Sequence, residues 1–167
     1  MKLGFRKAVV AGSFYPNNFD ELDKEIKKCY KHEFGPGTFA GEINDKRRLL
    51  AAIVPHAGYM FSGPCASWVY KNIGESRKPD CFIIIGPNHT GLGSGISIMI
   101  EGEWETPFGK VKINKEIANK IWSSTDVIDR DDWAHLNEHS IEVQLPFLQF
   151  IYGNLFTFDP IVISGVF

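Results

Sequence analysis

Two histidines of this 167-residue chain each follow an apolar run at a turn built from proline and glycine. His56 lies in Pro55-His56-Ala57-Gly58-Tyr59 and His89 in Gly86-Pro87-Asn88-His89. Neutral imidazole is the commonest protein ligand for iron, copper and zinc. Proline and glycine fix such loops and allow close backbone approach. His56 and His89 are therefore candidate ligands of a divalent metal. A third histidine lies in Asn137-Glu138-His139-Ser140-Ile141-Glu142. His139 and Glu142, three residues apart, share one face of a predicted helix. They are the candidate catalytic pair, as ligand, general base or orienting group. A mononuclear site usually takes three protein ligands, so His56 and His89 alone leave the set short. The competing reading lets each histidine bond a loop carbonyl and turns His139 to solvent at an acidic helix N-terminus. Phe14, Tyr15, Tyr59 and Phe61 are candidates for an aromatic wall around a ligand, or for ordinary packing. His135 has no distinguishing context, and His32 is expected at the surface.

Other chemistries have less support. Gly91-Leu92-Gly93-Ser94-Gly95 is glycine-rich but lacks the strand–helix setting and the lysine of a phosphate loop. It is read as a flexible loop covering the His89 cleft. Ser62 and Ser140 have no GxSxG elbow. Cys29, Cys65 and Cys81 are an odd number at irregular spacing, which fits neither a disulfide framework nor a zinc knuckle. Each falls in an apolar pattern and is read as a small buried hydrophobe.

The elements that must position these residues follow from periodicity. Phe19, Leu22, Ile26 and Cys29 form a helical stripe, predicting a helix over Phe19–Glu33 capped by Asn18, with Glu21 closing a capping box. The continuous apolar run Leu49–Val54 predicts a strand buried on both faces, as in a parallel sheet. A helix over Pro64–Ile73 begins with its proline at the first position. A second buried strand covers Cys81–Gly86, completing a right-handed crossover unit. His56 and His89 would then share the carboxyl ends of neighbouring strands, where open α/β sheets bind ligands. Gly95–Ile100 and Gly109–Ile113 are predicted strands flanking Glu103–Pro107, as a ribbon or excursion. Asn114 caps a helix through Ser123. A helix over Glu138–Tyr152 is expected to kink at Pro146, and Phe156–Ile163 forms the last strand. The expected fold is α/β, a three-layer sandwich with a mixed sheet, in one domain over residues 1–167.

Eighteen Lys+Arg against 20 Asp+Glu leave a net charge of −2, which argues against a nucleic-acid clamp. No apolar run is long enough for a signal core or a membrane span, so the expectation is a cytoplasmic protein that binds neither nucleic acid nor membrane. The apolar run Ile161–Phe167 at the end of the chain predicts self-association into a homo-oligomer through an open strand edge.

Four motifs in this order, Ala11-Gly12-Ser13-Phe14-Tyr15, Pro55-His56-Ala57-Gly58-Tyr59, Gly86-Pro87-Asn88-His89 and Glu138-His139-Ser140-Ile141-Glu142 with Leu145-Pro146, resemble the Memo family (mediator of cell motility) over about residues 6–163. The resemblance implies a fold like the class III extradiol dioxygenases, with His56 and His89 in a metal cleft that takes iron, as Fe(II), or copper. It implies a dioxygenase-like oxidoreductase acting on a small aromatic ligand, with the reaction unassigned. Alternatively, the same cleft serves a non-catalytic module that binds a phosphopeptide or another anionic ligand. Radical-SAM proteins are implied as partners. The resemblance further implies that this chain is the front part of a Memo-like domain, with an Asp and a His in a DxxH-like segment and a later Cys beyond the point matching Phe167. Asp159 stands where the family usually has a more apolar residue, and Phe14 where it often has Trp.

Overall fold

The computed structural model of the chain describes residues 4–165. The fold is α/β, with four helices on a mixed seven-stranded sheet. The strands are β1 (Phe5–Arg6), β2 (Phe82–Pro87), β3 (Ile96–Ile98), β4 (Glu103–Thr106), β5 (Gly109–Ile113), β6 (Asp129–Arg130) and β7 (Thr157–Ile163). The helices are α1 (Phe19–Lys31), α2 (Tyr59–Gly74), α3 (Lys115–Ser123) and α4 (Leu145–Tyr152).

The centre of the sheet is β7. One of its edges carries β2 in parallel along Phe82–Pro87, in register with Phe158–Ile163. The other edge takes β5 in parallel at Thr157 and Phe158, then β3 antiparallel at Ile161–Ile163. The edge of β2 away from β7 has no strand partner among the described residues. Alternation fixes the faces of β2. Phe82 packs on Tyr152 and Phe156, and Gly86 abuts Ser140 and Ile141. Ile83 and Ile85 point to the opposite face and are exposed. Over β7, by contrast, Phe158, Asp159, Pro160, Ile161 and Val162 are all buried.

The helices form where capping and an apolar stripe agree. Asn18 accepts the Glu21 N–H at 2.9 Å, and Leu22, Ile26, Cys29 and Tyr30 are buried. Gly63 lets α1 and α2 approach closely, since a Cβ there would lie 2.3 Å from the Cys29 sulfur. Asn114 caps α3 through the Ile117 N–H. No helix among the described residues is long and apolar enough to cross a membrane.

Several expectations are corrected. Leu49–Val54 is not a strand: it makes no hydrogen bond to a described residue, and a cavity of about 330 Å³ separates it from β2. An apolar run encodes a capacity for burial, and a ladder needs a neighbour at about 4.8 Å. The crossover unit is accordingly incomplete. Helix α2 begins at Tyr59, with Pro64 inside it, because Tyr59 N–H bonds the Phe14 carbonyl and the Phe61 and Ser62 N–H groups bond that of Gly58. Glu103–Thr106 is itself a strand, paired antiparallel with β5 through Thr106 and Gly109. The predicted helix over Glu138–Tyr152 begins only with a 3-10 turn at Glu142–Gln144. The Glu138 carboxylate takes the His139 and Ser140 N–H groups, so residues 138–140 stay outside it. Pro146 then falls in the first turn of α4, where its missing N–H costs nothing and no kink is needed. Cys29 is buried, Cys81 half-buried and Cys65 exposed on α2.

Asp159 is fully buried on β7, accepting the Asn114 N–H at 3.1 Å and lying 3.5 Å from the Cys81 sulfur. Burial raises its carboxyl to about 6, and burial together with the Asp159 charge raises the Cys81 thiol to about 12. A carboxyl raised on folding contributes stability that is present below its unfolded value and is lost as the pH rises through the folded one. Unfolding free energy is expected to fall by on the order of 2 kcal/mol between pH 4 and about 6. Asp159→Asn should remove that fall in chemical denaturation at stepped pH.

Candidate metal centre

Three segments bring the imidazoles together. His56 ends the extended stretch after Pro55, whose carbonyl accepts from Gln144 Nε2 at 3.2 Å. His89 follows β2, where Asn88 is tied back to the Ile163 carbonyl. His139 lies in the loop before the Glu142–Gln144 turn. Gly86 makes the approach possible, because a Cβ there would lie 2.5 Å from Ser140 Oγ. Without one, Ser140 Oγ donates to the Pro87 carbonyl at 2.8 Å, clasping the His139 loop to the end of β2. Ring centroids are 5.2 Å apart for His56 and His89, 4.5 Å for His89 and His139, and 6.1 Å for His56 and His139. Phe14 packs on the His139 ring at 4.6 Å.

Glu138 organises the cluster and was not singled out from the sequence. Its side chain is 1% exposed. One oxygen accepts from the His139 and Ser140 N–H groups and lies 2.9 Å from His89 Nδ1; the other accepts the His89 N–H. Burial alone would raise this carboxyl. The hydrogen bonds from the His89 ring and from the Ser140 and His89 main chain outweigh it and hold Glu138 at about 2. An ionised acceptor at Nδ1 leaves the opposite ring nitrogen of His89 to face a ligand, which is how carboxylates orient metal-bound histidines. Burial lowers both His56 and His139, and the neighbouring histidines add to the effect. Both rings are therefore neutral at pH 7, the form that offers a lone pair. Donor atoms of His89, Glu138 and His139 lie within 4.8 Å of one another. The set suits a borderline ion such as iron, copper or zinc better than a hard cation.

The other predicted site residues go elsewhere. Glu142 is fully buried, its carboxylate bonded by Arg6 Nη1 at 2.7 Å, Tyr15 Oη at 2.6 Å and the Val9 and Val10 N–H groups. None of these partners is an imidazole of the cluster. Tyr15 and Tyr59 are core residues, the Tyr59 hydroxyl donating to the Val143 carbonyl at 2.7 Å, whereas Phe61 is largely exposed on α2. Phe14 alone of the four aromatic candidates packs on a histidine of the cluster. His135 is fully buried against the Trp104 ring and is pushed down to about 4 by burial and the Arg6 charge. Arg6 was also missed. Its guanidinium binds the His135 and Glu138 carbonyls as well as Glu142, and lies 4.1 Å over Trp104. It therefore anchors β1 to both ends of the loop that presents Glu138 and His139.

The family model described as Memo-like protein matches residues 6–166. A MEMO1 family protein of Methanopyrus kandleri is 50% identical over 160 residues, covering 95% of this chain and 56% of the relative. One of Saccharolobus solfataricus is 46% identical over the same shares. One of Pyrococcus furiosus is 49% identical over 146 residues, covering 87% of this chain and 47% of its own. The chain thus spans about half the length of the curated relatives it matches.

Proposed function

The chain belongs to the Memo family, and from that membership we propose that its His56–His89–His139 cleft is a mononuclear metal centre serving oxidation of a small dihydroxy-aromatic ligand. The observation that carries the reading is the convergence of three imidazoles, with ring centroids 4.5–6.1 Å apart, around one buried, ionised carboxylate. His56 and His89 hold the metal, and His139 stands beside them as the base rather than as a ligand. When bound, Fe(II) or copper would supply chelation of the two hydroxyls and activation of O2. Glu138 fixes the His89 ring and its tautomer. His139, neutral at pH 7, takes the proton released by a ligand hydroxyl, and the Glu138 carboxylate 3.5 Å from its Nδ1 stabilises the imidazolium so formed. Phe14 holds the His139 ring by packing on it.

Oxygen uptake with catechol tests the reading. Protein supplied with Fe(II) is expected to consume O2 only when catechol is present, and to stop on addition of a chelator. Zinc-dependent turnover without O2 uptake would replace the proposal with a hydrolase. Phosphotyrosine-peptide affinity unaffected by chelator, with no O2 uptake, would replace it with a binding module.

A further inference from the structure

We infer that Gln144 is the positioning residue of His56, acting through the Pro55 carbonyl; the inference rests on the metal-centre reading of the cleft. The three imidazoles are held in different ways. The His89 ring has the Glu138 carboxylate 2.9 Å from its Nδ1. The His139 ring packs on Phe14, and the His139 N–H donates to Glu138. His56 makes no hydrogen bond to a described residue, by ring or by main chain. A metal-bound histidine ordinarily has an outer partner that fixes its ring. The place of His56 is therefore set by its neighbours along the chain. From Arg48 to His56, the one hydrogen bond to a described residue is that of Gln144 Nε2, donated to the Pro55 carbonyl at 3.2 Å.

The partners of Gln144 leave its amide one orientation. Nε2 also donates to the Ser140 carbonyl at 3.3 Å, and the Tyr70 hydroxyl donates to Oε1 at 2.5 Å. Carbonyl oxygens only accept, so the amide nitrogen must face Pro55 and Ser140, and the amide oxygen is left for the hydroxyl. Tyr70 is fixed in turn by stacking on Phe147, with ring centroids 4.7 Å apart and the planes 4° from parallel. Gln144 and Tyr70 are both buried. A buried network with every member satisfied is rigid. It holds two of the histidine segments, Pro55-His56 and His139-Ser140, at a set spacing. Ser140 Oγ ties the second of these to Pro87, ahead of His89. None of the Gln144 hydrogen bonds goes to an imidazole, so its effect on the centre passes through the main chain beside His56.

Gln144→Met keeps the length of the side chain and removes both donated hydrogen bonds. In metal-free protein, nuclear Overhauser contacts between the His56 and His89 rings, whose centroids are 5.2 Å apart, are expected to disappear in this variant. Those between His89 and His139, at 4.5 Å, are expected to remain. Copper(II) affinity, by competition against a chromophoric chelator, should fall about 10-fold or more. Pulsed electron paramagnetic resonance should find one bound imidazole where the unsubstituted protein has two. In a His56→Ala background the same substitution should cost no further affinity, because it acts through His56. Persistence of the His56–His89 contacts in the folded variant would overturn the inference, and so would an equal loss of affinity in the His56→Ala background. Should Gln144→Met not fold, Gln144→Asn, which keeps an amide one methylene short of Pro55, is read by the same contacts and the same criteria. Unsubstituted protein that takes up no copper would remove the metal-centre reading, and the ring contacts alone would then decide whether Gln144 places His56.

Discussion

Glu142→Ala is expected to lower the unfolding free energy by about 3–5 kcal/mol, the cost of stripping one partner from a buried ion pair. The Arg6 and Glu142 side chains are 1% and 0% exposed, and their 2.7 Å contact is one of several to the carboxylate. Without it the Arg6 charge stays buried, and the Tyr15 hydroxyl and the Val9 and Val10 N–H groups lose their acceptor. Each such orphan adds about 1–3 kcal/mol. Urea denaturation of the variant measures the loss. Replacing both charges by apolar residues, Arg6→Met with Glu142→Leu, should restore much of it, since a buried pair is worth little against a well-packed apolar substitute. A loss below about 1 kcal/mol in the single variant would show that the pair does not anchor β1 to the loop.

Glu138→Ala is expected to weaken metal binding by about 10–100-fold, the usual effect of removing the carboxylate behind a metal-bound histidine. The His89 ring would lose the acceptor at Nδ1, and the His89, His139 and Ser140 N–H groups would lose theirs. Competition against a chromophoric chelator gives the affinity. Glu138→Asp shortens the side chain but keeps the charge, so partial recovery separates positioning from folding. The acid limb carries the same signature. A carboxyl held at about 2 contributes stability that is present above its ordinary value and is lost as the pH falls through the folded one. Between about pH 4.5 and 2 the wild type is expected to lose on the order of 2 kcal/mol that Glu138→Ala no longer has to lose.

The helices were legible where local signals suffice. Asn18 and Asn114 are caps that depend on residues three positions away, and strands β2 and β7 are dense enough in apolar residues to be read alone. Leu49–Val54 carries an equally strong signal and forms no strand, because pairing depends on a neighbour that a local pattern does not contain. The placement of His56 and His89 together followed from the ends of two apolar runs, and their rings do meet. Glu138 was overlooked because its role is to accept main-chain N–H groups from residues 89, 139 and 140, and nothing in a linear motif distinguishes it from Glu142. Glu138 bonds His89 and the loop of His139, and Glu142, paired with His139 from the sequence, is bonded by Arg6, Tyr15 and the Val9 and Val10 main chain. Arg6 gave no signal at all, since His135, Glu138 and Glu142, which its guanidinium ties together, lie more than 125 positions away.

Metal content, by elemental analysis of protein purified without a chelating tag, tests the central claim most directly. The account predicts about one iron or copper ion per chain, lost in the His56→Ala/His89→Ala double variant while the melting temperature stays near that of the unsubstituted protein. Protein that neither carries nor takes up iron or copper, or metal retained by the double variant, would contradict it.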